Sequence, residues 1–169
     1  MAKVGDVYEF LAEDEHGFLH GEIRVEAIKI LQKQGRVREI IVVGGPTKDG
    51  MSKVKLIAEM IGGKVTQLES IASTEGNIKT IKNYLGEDKG KNGLLTNFYH
   101  IPRVLRLISE NGLRMIPICA EAVLLADNPQ WLNKIKEWYG EPSMLKRILS
   151  EIQGLNYIED KNIKPPKGR

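Results

Sequence analysis

With 169 residues, 41% of them hydrophobic and 28% charged, the chain is long enough to bury a core and too apolar to be disordered. A net charge of +3, with bases interleaved among acids and few aromatics, gives no nucleic-acid footprint. No run approaches the roughly 20 apolar residues of a membrane span, the start lacks a secretion-signal layout, and a single cysteine, Cys119, suits a reducing compartment; the expectation is a cytoplasmic protein without a membrane span.

In chain order, residues 7–11 read as a first strand. Residues 22–34 carry Ile23, Ala27, Ile30 and Leu31 at helical spacing, and Gly35 supplies the stop. Residues 39–43 form a β-branched run without polar alternation at its centre, as a strand buried on both faces requires. Gly44-Gly45-Pro46 ends that run. Ser52 is placed to cap a helix bearing Val54, Ile57, Ala58 and Ile61, closed by Gly62-Gly63.

A third strand is expected at residues 64–68, then a helix capped by Ser73 with Ile78, Ile81 and Leu85 as its stripe. Residues 92–96 are strand four, and a helix after Pro102 uses Val104, Leu105 and Ile108 before Gly112. Residues 113–118 are strand five. Asn128-Pro129 opens a helix with Leu132, Ile135 and either Trp138 or Tyr139, because proline suits the first helical position. One more helix is expected at 143–153 and a frayed basic tail at 161–169. Alternating strands and helices predict one doubly wound α/β domain, residues 1–160, with a mainly parallel sheet of about five strands. Its core spans about 7–118, with C-terminal helices at about 128–154.

In such a sheet the ligand crevice lies beyond the carboxyl ends of the strands. Those ends carry Gly44 and Gly45; Glu69, Ser70, Ser73, Thr74 and Asn77; Thr96, Asn97, His100 and Arg103; and Cys119 with Glu121. The double glycine permits close backbone approach to a ligand, but taken alone it is a tight strand exit. It fits neither the phosphate-loop nor the dinucleotide spacing. Ser73, Thr74 and Asn77 either line the crevice mouth or amount to a cap, a solvated threonine and an incidental asparagine; the two readings stand level. An isolated Glu69 is ordinarily a solvated charge, although a strand-end carboxylate can also act as a base or hydroxyl acceptor.

His100 stands just before a proline-started helix, with Arg103 three positions on. Imidazole passes protons near neutral pH and guanidinium holds a phosphate or carboxylate, so the pair suits an anionic substrate. Its plainer reading is a loop histidine and a surface ion pair. His16 and His20 lie in the loop after strand one without partners at a metal-site spacing, so no metal is expected.

Four stretches in order resemble the YdcF-like and SanA-like family, a bacterial group whose shared domain is of unknown function. They are Arg24 opening the first helix; Val42-Val43-Gly44-Gly45; the run Glu69-Ser70-Ile71-Ala72-Ser73-Thr74-Glu75-Gly76-Asn77; and Leu95-Thr96-Asn97-Phe98-Tyr99-His100-Ile101-Pro102-Arg103. The resemblance implies a Rossmann-like fold and a link to cell-envelope processes. S-adenosylmethionine is a candidate ligand, with no family-wide reaction. One departure stands out: Glu13, Asp14 and Glu15 occupy the turn after strand one, which is Gly-rich in the family, and three acids there repel a phosphate.

The expected function is an enzyme acting on an anionic small molecule, such as a phosphorylated or nucleotide-linked sugar or cell-wall precursor, by hydrolysis or group transfer. His100 moves the proton, Glu69 serves as base or hydroxyl acceptor, and Arg103 clamps the anion. Thr96, Asn97, Ser73, Thr74, Asn77, Gly44 and Gly45 orient the ligand, and Arg24 adds positive charge. The alternative is a non-catalytic module for a nucleotide-like ligand such as S-adenosylmethionine, and the blandest reading is a scaffold with a decayed pocket.

Overall fold

The computed structural model describes residues 20–46, 52–71, 73–87, 91–142, 144–146 and 148–153. Helix α1 (His20–Lys33) begins with Glu22 in its first turn and ends with Lys33 in its last, a charge order that suits the helix dipole. Ile23 and Ala27 are fully buried against Ala120, Leu124, Ile135 and Trp138 of the C-terminal helices. Ile28, on another side of α1, packs on the cluster Ile40, Val42 and Val54. One helix thereby joins two apolar clusters, which explains why its buried arc is wider than a single stripe.

Strand β1 (Ile40–Gly44), helix α2 (Lys53–Ile61) and strand β2 (Val65–Glu69) form the first parallel unit. The register runs from Ile40 opposite Val65 to Gly44 opposite Glu69. Ser52 caps α2 by accepting the Lys55 N–H at 3.1 Å. Gly62 stops the helix at φ 75°, a left-handed backbone that a side chain would oppose. Helix α3 (Thr74–Leu85) then leads to the second unit: strand β3 (Asn92–Thr96), a 3-10 turn (Phe98–His100), helix α4 (Ile101–Glu110) and strand β4 (Met115–Cys119). Here Asn92 faces Met115 and Thr96 faces Cys119, again parallel.

Ile78 of α3 shares an apolar cluster with Val104, Leu107 and Ile108 of α4. Both helices follow the carboxyl ends of their strands, α3 after β2 and α4 after β3. Helices α5 (Ala120–Asp127) and α6 (Trp131–Gly140) follow, and residues 144–146 and 148–153 are also helical. No helix of the described residues is long and apolar enough to cross a membrane.

The α/β character and the parallel strands agree with the sequence pattern. The sheet does not: the described residues hold two separate two-stranded sheets, β1-β2 and β3-β4, and not one sheet of about five strands. Each pair uses one edge of each strand, and no ladder joins the pairs. The expected first strand at 7–11 and the acidic turn after it lie outside the described residues, as do His16 and the tail at 161–169. Strands β1, β2 and β4 start one to two residues later than expected. The helix expected from Asn128-Pro129 starts at Trp131, and α5 was not foreseen at all. Pro117 lies within β4, where it lacks a ladder donor; among the described residues β4 pairs with β3 alone, and Ile116 is exposed.

Candidate functional site

At the carboxyl ends of β1 and β2 the polar residues are occupied with one another. Glu69 is exposed and accepts a hydrogen bond from the Ser52 hydroxyl, which ties it to the start of α2. Ser70 donates its N–H to Gly44 O at 2.9 Å, and its hydroxyl donates to Asn77 Oδ1. Ser73 caps α3 by accepting the Gly76 N–H at 3.0 Å, and Asn77 closes the first turn onto Ser73 O. Thr74 is half-buried at the first helical position. Gly44 does not take a left-handed backbone, and a Cβ there would make only an ordinary contact with Val54. Gly45 is buried, and Pro46 bridges back to Ser52. At this end Ser52 and Ser73 act as helix caps, while Thr74 is half-buried and Asn77 is bonded to Ser70.

The ends of β3 and β4 are different. Thr96 and Asn97 are buried, and Asn97 Nδ2 donates to Glu121 Oε1 at 3.0 Å. The Phe98 N–H donates to Glu121 Oε2 at 2.8 Å, the Tyr139 hydroxyl to Oε1 at 2.8 Å, and the Cys119 thiol to Oε2 at 3.3 Å. Four donors thus satisfy one buried carboxylate in the first turn of α5, where the helix dipole also favours negative charge. Burial first, then the Glu121 charge, pushes the Tyr139 hydroxyl far above its usual value. Burial likewise raises the Cys119 thiol; Glu121 adds to this against an opposing Ala122 N–H. Both groups are therefore donors, not nucleophiles, near neutral pH.

One turn further on, His100 and Arg103 meet a residue the sequence reading did not select. Nδ1 of His100 lies 2.6 Å from Glu151 Oε2, and Arg103 Nη1 lies 3.5 Å from the same oxygen. Glu151 is 4% exposed and comes from the helical segment 148–153. Nδ1 has no aligned hydrogen-bond partner among the described residues, although this carboxylate oxygen is its neighbour at 2.6 Å. Asn97 Oδ1 and Arg103 Nε are buried without a hydrogen-bond partner among the described residues, leaving an acceptor and a donor unused. The Tyr99 ring connects the two carboxylate centres, 6.3 Å from His100 and 6.4 Å edge-on from Tyr139.

No hydrogen bond or ion pair among the described residues joins Glu69 or Arg24 to His100 or Arg103; Arg24 is half-buried on α1. Among the described residues no group of three His, Cys, Asp or Glu is placed to hold a metal. A shallow depression of about 220 Å³ lined by Asn128, Gln130, Trp131 and Lys134 takes in none of the expected site residues. Glu151 did leave a signal in the sequence: with Met144 and Ile148 it falls on one helical face, a carboxylate where the stripe calls for an apolar residue. The chain matches no family model, no curated protein and no solved structure.

Proposed function

We propose that the chain is a YdcF-like enzyme acting on an anionic small molecule, a phosphorylated or nucleotide-linked sugar or cell-wall precursor, by hydrolysis or group transfer. The observation that carries this reading is the convergence of His100 and Arg103, from one proline-started helix, on a single carboxylate oxygen. A proton-bearing imidazole and a guanidinium set to hold one oxyanion are what an anionic substrate requires. The unpartnered Nε of Arg103 supplies a further donor for the ligand, and Asn97 Oδ1 an acceptor for a hydroxyl.

A non-catalytic module for a nucleotide-like ligand such as S-adenosylmethionine is the second reading. The engagement of Glu69 with Ser52 favours it, because the second expected proton-transfer group is then absent from the His100 centre. A thermal-shift panel of sugar phosphates, nucleotide sugars and S-adenosylmethionine separates the two. A ligand at 100 times its Kd stabilises by about 2.7 kcal/mol. Consumption of the stabilising ligand, abolished in His100→Ala with the fold intact, supports the enzyme. Recovery of the ligand unchanged supports the module, and full turnover in His100→Ala removes the histidine from its role.

A further inference from the structure

We propose that Glu151 is the positioning residue of His100: its carboxylate holds the imidazole as the Nδ1–H tautomer and leaves Nε2 as the proton-accepting atom. The proposal rests on the functional reading above for the use of that proton, but not for the tautomer itself. Free imidazole is not fixed in one tautomer, and the hydrogen bond at one ring nitrogen decides which nitrogen carries the proton. Here the nitrogen next to a carboxylate oxygen is Nδ1, at 2.6 Å, within hydrogen-bond reach although its axis is not aligned on that oxygen. This is the arrangement in which acyl-transfer triads orient their histidine, with the acid at Nδ1 and the reacting group at Nε2.

The geometry is more demanding than a surface ion pair. The Glu151 side chain is 5% exposed and that of His100 14% exposed, so neither partner is simply left to solvent. A carboxylate loses several kcal/mol of hydration on burial, and it persists there only with compensating partners. Among the described residues Oε2 faces His100 Nδ1 at 2.6 Å and Arg103 Nη1 at 3.5 Å, both from the start of α4. Among the described residues Glu151 and the Tyr99 ring lie against His100, and Arg103 meets the same Glu151 oxygen. Arg103 thereby restrains the carboxylate that restrains the imidazole, which gives the guanidinium a role in the apo protein as well as with ligand. In a proton transfer Nε2 takes the proton of the attacking hydroxyl or water. The attacking oxygen bonds the substrate centre, Glu151 balances the imidazolium, and the same proton then passes from Nε2 to the leaving oxygen as its bond to that centre breaks.

Imidazole ¹⁵N spectra of the uniformly labelled full chain test this without a substrate, with the His100 signals assigned by their loss in His100→Gln. The expected wild-type spectrum at a pH where the ring is neutral is that of the Nδ1–H tautomer. Glu151→Gln should keep it, because the amide oxygen still accepts from Nδ1. Glu151→Leu should lose it, with the rest of the amide spectrum unchanged. A wild-type Nε2–H tautomer overturns the proposal even if neither variant folds. So does a Glu151→Leu protein that keeps Nδ1–H. Tighter binding of inorganic phosphate by Glu151→Leu with the tautomer unmoved also overturns it, making Glu151 an internal stand-in for the ligand. Retained turnover in His100→Ala would sink the enzymatic reading while leaving the tautomer result standing.

Discussion

Among the described residues two buried carboxylates, Glu121 and Glu151, carry the polar interior. Glu121 accepts from a backbone N–H, an amide, a phenol and a thiol. Glu121→Gln replaces one acceptor oxygen by an NH2 that must face donors, so one of these bonds becomes a clash. With hydrogen bonds to charged groups worth about 1.5–3 kcal/mol, urea denaturation should find the variant destabilised by at least about 2 kcal/mol. A loss below about 0.5 kcal/mol would mean the four bonds are not held together in solution. His100 and Arg103 were legible as a pair because a proline fixes where their helix begins and places both at its first turn. Glu151 was not, since Arg103 and Glu151 stand 48 residues apart and only tertiary folding joins them. Glu69 was legible as a strand end but not as the partner of Ser52, for the same reason.

Helix starts were the most readable elements, because a cap is local chemistry: Ser52 and Ser73 do at α2 and α3 what their spacing announces. Ser73→Ala removes the acceptor of the Gly76 N–H and should cost about 1 kcal/mol in thermal or urea unfolding, with the fold retained. An unchanged stability would restore the reading of Ser73 as a ligand contact. Helix α5 escaped notice because its eight residues, AEAVLLAD, are apolar on most sides and carry no clean stripe. It also follows β4 directly, with Cys119 at the N-cap in place of a Ser, Thr, Asp or Asn. Its role is packing: Leu124 is fully buried between Ile23, Ile135 and their neighbours. Leu124→Ala should therefore cost about 2–5 kcal/mol, measured by urea denaturation, and loosen the seat of Glu121 on the same helix.

Across the whole molecule, alternation of strands and helices was enough to foretell parallel βαβ units, since a crossover helix between two strands leaves little other choice. It was not enough to foretell how the units join, because lateral order in a sheet depends on long-range pairing that no local pattern encodes. What does join them in the described residues is helical: α1 spans two apolar clusters, and α3 packs on α4. The half-buried donors Cys119 and Tyr139 beside Glu121 add a pH dependence to that global stability. In the unfolded chain Cys119 loses its proton near its ordinary value of 9.0 and Tyr139 near 10.0, whereas the folded chain holds both protons to higher pH. Above those values the unfolded state binds fewer protons than the native one, so stability falls as pH rises. The full contribution is present below about pH 9 and is lost upward from there, with the Tyr139 share lost above about pH 10. Urea denaturation between pH 7 and 11 should show this fall, and Tyr139→Phe, which removes the ionisable hydroxyl, should decline less steeply above pH 10. Parallel curves for the two proteins would mean that Tyr139 meets solvent, and that its bond to Glu121 does not survive in the native ensemble.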